Sequence, residues 1–554
     1  MIYSCDFETT TDINDCRVWA WCAIELNTEL EYYGNSIETF ISWTKTSPKN
    51  LYFHNLKFDG EFILSYLLNN GFAYSKEKEL KDHEFITLIN EMGQFYQLKF
   101  NINGVIITIK DSLKLLNFSV DQIAKSFNMN ITKLSLDYQT KREKGHILTN
   151  EEKAYIKNDT LIMARALKIM FDKGFKKLTI GSNALGFYKK QNKNNFKKYF
   201  PQIKNDSFIR KSYKGGFTYC NPLTKNQVIN GGIVLDVNSL YPFVMHSPFI
   251  YPYGIGEYYE GGYKEDENFP LYVQRLRVSF KIKPGYLPTI QIKNSMYYNA
   301  TEYIENSESM EELTLTNIDL ALFLEHYEIL DIIYIDGYKF KAKCGFFDNY
   351  IEYWYEQKKK SKEENNKPQY LIAKLMQNSL YGKFASKPEG RSKIPYLDDN
   401  GVVKYKLSEK EERKKLYIPV GVFVTAYARD KTIRAAQKNY TRFLYADTDS
   451  LHLSGYDLPE LEIDEYKLGA WKLEGIFDQA KYLRSKLYME HIRESKEKTG
   501  SEKWKITGAG MNDKTKENVT FEYFKYGESF KGKLRPMHVK GGIVLVDTEF
   551  TIKC

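Results

Sequence analysis

Alternating apolar and polar positions open the chain and predict β-strands. The segments MIYSCDFE (1–8) and CRVWAWCAIE (16–25) alternate in this way on either side of a polar turn. The run 51–71 begins as a short strand and continues with a helical pattern that ends at Gly71. A strongly amphipathic helix is predicted over 151–174, with a glycine stop at its end. Together these elements predict an α/β domain over residues 1–178.

The pattern changes in the second half of the chain. GGIVLDVNSLYP (231–242) is typical of a buried strand that runs into a turn, and many short strands are predicted between 243 and 345. A helical pair joined near Pro368 follows, and then a hairpin with an Asn400–Gly401 turn. A helix (424–439) and strands around YADTDS (445–450) come next, and a small glycine-marked, strand-rich unit ends the sequence.

Composition narrows the class of protein. A chain of 554 residues predicts roughly three or four domains, and a hydrophobic content of 42% is ample for packed cores. Mean hydropathy is −0.51, no run approaches the ~20 apolar residues of a spanning helix, and the N-terminus has no basic-then-apolar leader. The six cysteines are scattered, with no C-x2-C pair, which favours reduced thiols. We expect no membrane attachment and no secretion.

Charge is unevenly distributed. Residues 1–160 contain 17 Lys+Arg against 22 Asp+Glu, whereas the remainder has 63 against 49. The segment 189–214 alone has nine basic residues and one acid. Such a run is either a solvated helix face or linker, or a surface that neutralises phosphates. The 44 tyrosines favour the second interpretation, because tyrosine offers both a stacking face and a hydroxyl.

A first group of acids lies in the N-terminal domain. Asp6 and Glu8 are two residues apart on a predicted strand and therefore share a face. Such a pair is usually a solvated strand face, but its apolar and aromatic neighbours suggest burial, where unpaired acids are costly. Together with Asp59 and Asp159, they could hold two divalent ions for phosphodiester cleavage. Tyr155, one helical turn before Asp159, could orient the attacking water.

A second group of acids follows two apolar strands. Asp236 ends GIVLD, and Asp447 and Asp449 follow FLYA. Oxygen-rich sites suit Mg²⁺ or Mn²⁺, and two such ions would activate a primer 3′-hydroxyl and neutralise a triphosphate.

A helix between the two halves of this group could complete it. Lys374, Asn378 and Tyr381 fall at i, i+4 and i+7, so one face offers a cation, an amide and an aromatic plate. The alternative is a surface helix whose tyrosine packs on the core.

The ordered motifs DFET, NLKFDG, YIKND, DVNSLYP, KLMQNSLYG and YADTDS closely resemble those of the family-B DNA polymerases, and more narrowly of the protein-primed enzymes of small tailed phages with linear genomes. The resemblance covers nearly the whole chain. It implies an α/β and α+β multidomain protein, with an RNase-H-like 3′–5′ exonuclease domain followed by a right-hand polymerase domain of palm, fingers and thumb with two insertions. Two Mg²⁺ or Mn²⁺ ions are implied at each active site.

In the implied exonuclease, the metal ligands are Asp6, Glu8, Asp59 and Asp159, with Tyr155 and Lys133 assisting catalysis. Relatives commonly have an acid two residues beyond that lysine, but here the residue is Ser135. The positions that match those holding the single-stranded 3′ end are Thr9, Asn55, Phe58, Phe62, Ser112, Leu113 and Tyr138.

In the implied palm, the metals are surrounded by Asp236, the Val237 carbonyl, Asp447 and Asp449. Asp449 is preferred over Asp447 as a direct ligand. Tyr241 would stack under the incoming sugar and reject a ribose 2′-hydroxyl. Lys358 and Lys374 would contact the triphosphate, and Asn378 and Tyr381 complete the nucleotide site. Relatives commonly have a further lysine where this chain has Tyr370, and Lys367 or the cluster 358–362 could substitute for it. The matched DNA-binding positions are Tyr213, Gly215, Gly216, Phe217, Thr425, Arg429, Lys486 and Tyr488. The two glycines would let the backbone approach DNA closely.

Two long insertions favour protein priming. The expected order of units is exonuclease 1–178, first palm part 179–242, terminal-protein insertion 243–345, fingers 346–386, strand-displacing hairpin 387–417, second palm part 418–508 and thumb 509–554. The expected partners are primer-template DNA, dNTPs and a terminal protein, and the protein is expected to act as a monomer in the bacterial host cytoplasm.

Three alternatives stay open at this point. A nuclease-only enzyme would leave DVNSLYP, NSLYG and YADTDS without a role, and a replication scaffold would leave both groups of acids without one. The third alternative is a family-B polymerase that uses nucleic-acid primers, or no primer, instead of a terminal protein.

Overall fold

A computed structural model of the chain describes residues 1–131, 134, 136–137, 140–193, 195–293, 295–495 and 503–553. The predictions for Lys133, Ser135 and Tyr138 lie outside the described residues. In the described part of the chain, no helix is long and apolar enough to cross a membrane.

An eight-stranded sheet forms the N-terminal domain, in the strand order β3-β2-β1-β4-β8-β7-β6-β5. Strand β1 pairs antiparallel with β2 and parallel with β4, which pairs parallel with β8. The elements are β1 (Ile2–Thr9), β2 (Val18–Glu25), β3 (Glu31–Gly34), α1 (Ile37–Thr44), β4 (Lys49–Phe53), α2 (Leu56–Asn69), β5 (Ala73–Tyr74), β6 (Glu84–Ile89), β7 (Phe95–Ile102), β8 (Val105–Asp111), α3 (Val120–Ser126) and α4 (Asn150–Asp172).

Both faces of this sheet are covered, which explains the composition of β2. Every residue of β2 is buried. Trp19 and Cys22 face a core shared with α4, whereas Trp21 and Ala23 pack with Phe40 of α1. Helix α4 begins with a Thr149 capping box, which satisfies amide groups at its first turn.

A seven-stranded antiparallel sheet forms the centre of the molecule, in the order β23-β22-β21-β10-β20-β19-β9. Its strands come from distant segments, since β10 pairs with both β20 and β21. The elements up to β10's following helix are α5 (Ile180–Asn192), α6 (Asn195–Tyr199), α7 (Asp206–Lys211), β9 (Thr218–Cys220), β10 (Ile229–Val237) and α8 (Leu240–Met245).

The basic segment 189–214 is largely helical and only half solvated. Its lysines are mostly exposed, while Phe196, Phe200 and Ile209 are buried in the central core. The lysine side of this segment therefore agrees with the interpretation as a solvated helix face, whereas its apolar side packs in the core.

A four-stranded sheet of order β11-β14-β12-β13 follows within 243–345. Its elements are β11 (Tyr251–Glu260), β12 (Leu271–Ile282), β13 (Glu311–Thr316), α9 (Asn317–His326) and β14 (Tyr327–Lys343). The helical pair and the hairpin region come next: α10 (Asp348–Glu363), α11 (Lys367–Ser379), α12 (Tyr381–Phe384), β15 (Glu389–Gly390), β16 (Lys393–Leu397), β17 (Val403–Leu407) and β18 (Glu411–Glu412).

The hairpin of β16 and β17 differs from its prediction in the turn. The last strand pair joins Leu397 to Val403, so the connection is a loop over 398–402 rather than a two-residue Asn-Gly turn. Within it, Asp398 accepts the amides of Asn400 and Val402, and Gly401 has a φ of 72°. The Asp side chain organises a longer loop than the dipeptide alone indicates.

The remaining elements return to the central sheet and then form a separate two-stranded C-terminal hairpin. They are α13 (Ile418–Lys438), β19 (Phe443–Asp447), β20 (Ser450–Ser454), β21 (Trp471–Arg484), β22 (Leu487–Ser495), β23 (Lys503–Gly508), α14 (Asp513–Lys516), β24 (Ser529–Val539) and β25 (Gly542–Thr551). Single-turn 3₁₀ helices lie at Ser112–Lys114 and Tyr440–Arg442.

The C-terminal hairpin packs on the N-terminal domain. Ile543 and Val544 share a core with Phe62 and with Val403 of the β16–β17 hairpin. The Tyr405 hydroxyl donates to buried Glu61 at 2.7 Å. Three units that are far apart in sequence therefore meet at one face of helix α2.

Candidate functional site

Strand pairing brings the second group of acids together. Asp236 near the end of β10 is paired with Ser450 of β20, and the Val237 amide donates to the Asp449 carbonyl at 2.8 Å. Asp447 ends β19 on the neighbouring strand. More than two hundred residues of sequence separate the two halves, yet antiparallel pairing makes them neighbours.

The turn between Asp447 and Asp449 is conformationally unusual. Thr448 has a φ of 63°, a region that β-branched residues rarely adopt. The turn is held by the Thr448 amide, which donates to Phe217 at 2.7 Å, and by the Thr432 hydroxyl, which donates to the Thr448 carbonyl at 2.7 Å. Backbone strain of this kind persists only where surrounding contacts fix it, and it is frequent at functional sites.

The acids of this site destabilise each other's charge. Burial and the neighbouring Asp449 raise the pKa of Asp236 to about 8. Burial also raises the pKa of Asp449, with Asp447 adding to the effect. Carboxylates crowded in this way ionise readily only when a cation lies beside them. Their oxygen atoms form a donor set that suits a divalent ion.

Asp447 has a different environment from Asp236 and Asp449. Lys486 Nζ lies 2.7 and 2.6 Å from its two carboxylate oxygens, and the Thr218 hydroxyl donates to it at 3.0 Å. Because Lys486 already neutralises Asp447, the arrangement of the site favours Asp236 and Asp449 as the direct ligands of a metal ion.

A nucleotide-sized space adjoins the acids. The rings of Tyr241 and Tyr381 stack with centroids 3.9 Å apart and planes 18° apart. A cleft of about 1330 Å³ extends from this site, and among the residues that line it are Asp236, Tyr241, Lys374, Asp447, Asp449, Glu474, Lys486 and Tyr488. Lys374 and Asn378 are exposed on α11, and Tyr381 follows on α12 at the same face.

The lysines of the helical pair crowd one another. Lys358 of α10 lies 3.3 Å from the Ser239 hydroxyl. Burial lowers the pKa of Lys358 to about 8, and the charges of Lys374, Lys362 and Lys472 act in the same direction. Such a concentration of cations beside paired acids favours a polyanion such as a triphosphate.

Several residues predicted to grip DNA are interior in the structure. Arg429 is 2% exposed, makes a two-oxygen ion pair with Asp319, and donates to the carbonyls of Lys214 and Gly215 at 2.8 Å. Thr425 is 1% exposed and its hydroxyl donates within its own helix, and Phe217 is fully buried. Arg429 therefore holds the backbone of the 213–217 loop from the interior of the fold, and the side chains of Thr425 and Phe217 are buried in this structure.

The two glycines of this loop have separate roles. A Cβ on Gly216 would lie 2.6 Å from the Thr448 hydroxyl oxygen, so this glycine lets the loop approach the catalytic turn and not only DNA. Gly215 has open space around it and remains compatible with a close approach of DNA. Tyr213 beside it is half-buried.

The first group of acids converges around helix α2. Asp59 lies in the first turn of α2 and is 4% exposed. Burial raises its pKa well above the usual range, and the charges of Asp6 and Glu8 add to this effect. These three carboxylates therefore form one cluster that suits divalent cations.

Helix α4 brings Asp159 to the same region. It packs against β1 and β2. The side chain of Thr160 is hydrogen-bonded to Cys22, which is the strand partner of Asp6. Tyr155, one turn earlier, is 7% exposed.

Asp111 is a member of this cluster that sequence reasoning missed. It is 1% exposed at the end of β8, its charge acts on Asp59, and it accepts the amides of Asn55 and Leu113 at 3.1 and 3.0 Å. In the sequence, Asp111 follows an apolar strand pattern as Asp236 does, and that pattern could have identified Asp111 as a site residue. Glu474 was missed in the other site; its charge raises the pKa of Asp236.

The predicted strand-binding side chains around α2 divide by exposure. Thr9, Phe58 and Leu113 are half-buried and Asn55 is exposed, so all four are accessible. Phe62 is 2% exposed beneath the C-terminal hairpin, and Ser112 is 1% exposed and donates to the Phe53 carbonyl at 3.0 Å. In this structure the side chains of Phe62 and Ser112 are packed against the protein itself.

A third set of possible metal donors joins α8 to α10. Ligand atoms of His246, Asp348 and Glu352 lie within 4.8 Å of one another. However, Asp348 already accepts the amide and hydroxyl of Ser247 at 3.0 and 2.6 Å, and His246 Nε2 lies 3.0 Å from Glu352. These contacts describe a polar tie between two helices.

Comparison with known proteins agrees with this arrangement. The family model for DNA polymerase type B, organellar and viral, matches residues 42–151 and 137–468. The chain is 45% identical to the DNA polymerase of Bacillus phage Nf over 576 aligned residues, which cover 100% of this chain and 99% of the relative. It also matches phi29 DNA polymerase complexed with primer-template DNA and incoming nucleotides, with a TM-score of 0.94, 43% identity and full coverage of both chains.

A further solved structure, phi29 DNA polymerase complexed with single-stranded DNA, matches with a TM-score of 0.93 and 42% identity over both full chains. The predicted fold class, a mixed α/β and α+β multidomain polymerase, is confirmed by these matches. The chain belongs to the type B DNA polymerases, in the group that includes the Bacillus phage enzymes.

Proposed function

We propose that this DNA polymerase extends a primer along a DNA template at the Asp236–Asp449 site and removes nucleotides from a 3′ end at the Asp6–Glu8–Asp59–Asp159 site. One observation carries the first activity: a single cleft is lined by the half-buried acids, by Lys374 and by Tyr241, whose ring stacks on Tyr381. This set matches the needs of a nucleotide, which has a triphosphate, a sugar and a base.

Asp236 and Asp449 would hold Mg²⁺ or Mn²⁺ in the polymerising site, with the Val237 carbonyl and Asp447 beside them. Bound there, two ions would supply charge neutralisation of the triphosphate and a lowered pKa for the primer 3′-hydroxyl. The raised pKa of Asp236 supports the assignment, because burial and the charges of Asp449 and Glu474 outweigh the opposing charges of Lys472 and Lys374.

The chain's own residues bind and orient the substrate. Lys358 and Lys374 attract the triphosphate, Asn378 lies one turn from Lys374, and Tyr241 supports the sugar. The ring of Tyr241 is fixed by its stacking on Tyr381, so it occupies the space that a ribose 2′-hydroxyl would need. Lys486 and Tyr488 border the cleft and would grip the primer strand.

The proofreading activity is supported by the second carboxylate cluster. Asp6, Glu8, Asp59 and Asp159 would hold the same kind of ions, and Tyr155 would orient water. Thr9, Asn55, Phe58 and Leu113 would hold the single-stranded end. The likeness to phi29 polymerase complexed with single-stranded DNA supports the binding of a single strand by this chain.

We further propose protein priming and strand displacement. The four-stranded unit of 243–345 would dock a terminal protein, and the β16–β17 hairpin, tied to α2 and the C-terminal hairpin, would surround the template and separate downstream duplex. The enzyme would then replicate a linear viral genome as a monomer in the bacterial cytoplasm. A type B polymerase that uses nucleic-acid primers, or none, is the alternative.

Two assays test the proposal. Mg²⁺-dependent extension of a primed template past a downstream duplex, without a helicase, is expected, and failure to extend would contradict the polymerising assignment. Transfer of a labelled deoxynucleotide to a Ser, Thr or Tyr hydroxyl of the cognate terminal protein is the expected result for priming. Extension from DNA primers without that transfer would favour the alternative.

A further inference from the structure

A buried polar network lies in the central sheet beside the catalytic turn. His452 Nδ1 lies 2.6 Å from a carboxylate oxygen of Glu490, and the Tyr482 hydroxyl donates to the same oxygen at 2.7 Å. The side chains of His452 and Glu490 are 1% and 0% exposed. Burial by itself would raise the pKa of Glu490, but His452 and Tyr482 hold that pKa below its usual value.

This network joins two strands that share no backbone hydrogen bonds. His452 is in β20, three residues after Asp449, and Glu490 is in β22, two residues after Tyr488. In the sheet, β21 and β10 lie between β22 and β20. The side-chain pair therefore connects β20, which follows Asp449, directly to β22, which carries Tyr488 and begins immediately after Lys486.

Aromatic rings connect the pair to the edge of the cleft. The rings of Tyr445 and Tyr488 each lie 5.2 Å from the His452 ring. The Tyr445 hydroxyl accepts the Lys486 amide at 2.9 Å and lies 3.4 Å from Asp447. Lys486 itself has a φ of 58°, a conformation unusual for lysine that its surroundings must maintain.

We infer that His452 and Glu490 are positioning residues that set where Lys486 and Tyr488 stand relative to Asp447 and Asp449. The inference rests on the proposed role of Lys486 and Tyr488 in gripping the primer strand. Stability alone does not account for the pair, because replacing both partners of a buried hydrogen bond by apolar side chains of similar shape can be nearly neutral for stability. What an apolar pair lacks is a directed contact that fixes one strand against another.

The decisive variant is the double substitution His452→Leu with Glu490→Leu, which removes both partners of the pair at once. We expect primer-template affinity to fall about tenfold and the slope of log affinity against log salt to shrink by about one, as when one phosphate contact is lost. Degradation of single-stranded DNA should stay within about twofold of wild type, since that site is in the N-terminal domain. Glu490→Gln, which keeps an acceptor for Tyr482 but removes the carboxylate that contacts His452, is the second test should the double variant fail to fold. Primer-template affinity should then fall about two- to threefold, and wild-type affinity would overturn the inference.

His491→Gln is the matched control. His491 is the next residue on β22 and also pairs with a carboxylate, Asp478 at 2.7 Å, but that pair is partly exposed and lies apart from the network. It should leave the affinity and the salt slope unchanged. Wild-type primer binding by the double variant, or an equal loss of affinity in His491→Gln, would overturn the inference.

Lys486→Ala separates the inference from the proposed function. If this variant binds primer-template DNA as wild type does, the gripping role fails and the inference fails with it. If Lys486→Ala weakens binding while the double variant does not, the gripping role stands and only the positioning role of His452 and Glu490 is overturned.

Discussion

The two carboxylate sites of this polymerase differ in the charges that surround them. Around Asp59, the strongest charge effects come from other carboxylates, Asp6, Glu8 and Asp111. Around Asp236, the opposing charges of Lys472 and Lys374 act alongside the acids. This difference agrees with the two proposed roles, because a site for a triphosphate benefits from cations of its own, whereas a site for phosphodiester cleavage needs mainly ligands for metal ions.

The largest effect that would test this contrast is the loss of one activity without the other. Asp449→Ala should reduce primer extension by at least about 10³-fold, because it removes a carboxylate from the proposed metal site. Degradation of a single-stranded oligonucleotide by the same preparation should be largely retained. Loss of both activities would indicate misfolding or a wrong assignment.

The reciprocal change is Asp6→Ala combined with Glu8→Ala. We expect degradation to fall by about 10³-fold or more while extension survives, because the acids that converge on Asp59 are removed. Gel analysis of a labelled 3′ end measures both activities. A wild-type rate of degradation would exclude these two residues as ligands.

Tyr241→Val tests the shape of the nucleotide pocket. Removing the ring that stacks on Tyr381 should open the space beside the sugar and reduce discrimination against ribonucleotides about 10- to 100-fold. The ratio of kcat/KM for dNTP and rNTP measures this, with Tyr381→Phe as a control that keeps the stacked ring. Unchanged sugar selectivity would refute the role of Tyr241.

Asp111→Asn tests the membership of Asp111 in the N-terminal cluster. The amide still offers an oxygen to the Asn55 and Leu113 amides but removes one charge from around Asp59. We expect degradation to need about tenfold more Mg²⁺, as for other residues that support a metal ligand, with extension unchanged. An unaltered Mg²⁺ titration would make Asp111 purely structural.

The smallest expected effect concerns Lys358 and pH. A lysine binds phosphate in its protonated form, and the pKa of Lys358 is lowered to about 8, so its charge is present below that pH and is lost above it. The KM for dNTP should therefore rise a few-fold between about pH 7.5 and 9 in wild type. Lys358→Arg should flatten this rise, because a guanidinium stays charged. Parallel profiles would show that Lys358 does not contact the triphosphate.

The sequence by itself determined the elements and the chemistry of the motifs. Period-two and helical patterns predicted β1, α2, α4, β10 and the α10–α11 pair, because local apolar spacing follows which face is buried. Acids at strand ends in DVNSLYP and YADTDS, with the lysine and tyrosine of KLMQNSLYG, indicated a nucleotide site and the resemblance that the family match confirms.

Only the tertiary structure decided which side chains are free to act. Arg429, Thr425 and Phe62 match functional positions in sequence, but packing buries their side chains in the structure. Asp111, Glu474 and the His452–Glu490 pair lie outside the motifs that the sequence analysis used, and only the folded arrangement of the sheets brings them to the sites. The physical reason is that periodicity is a local property of the chain, whereas burial and pKa depend on contacts between residues far apart in sequence.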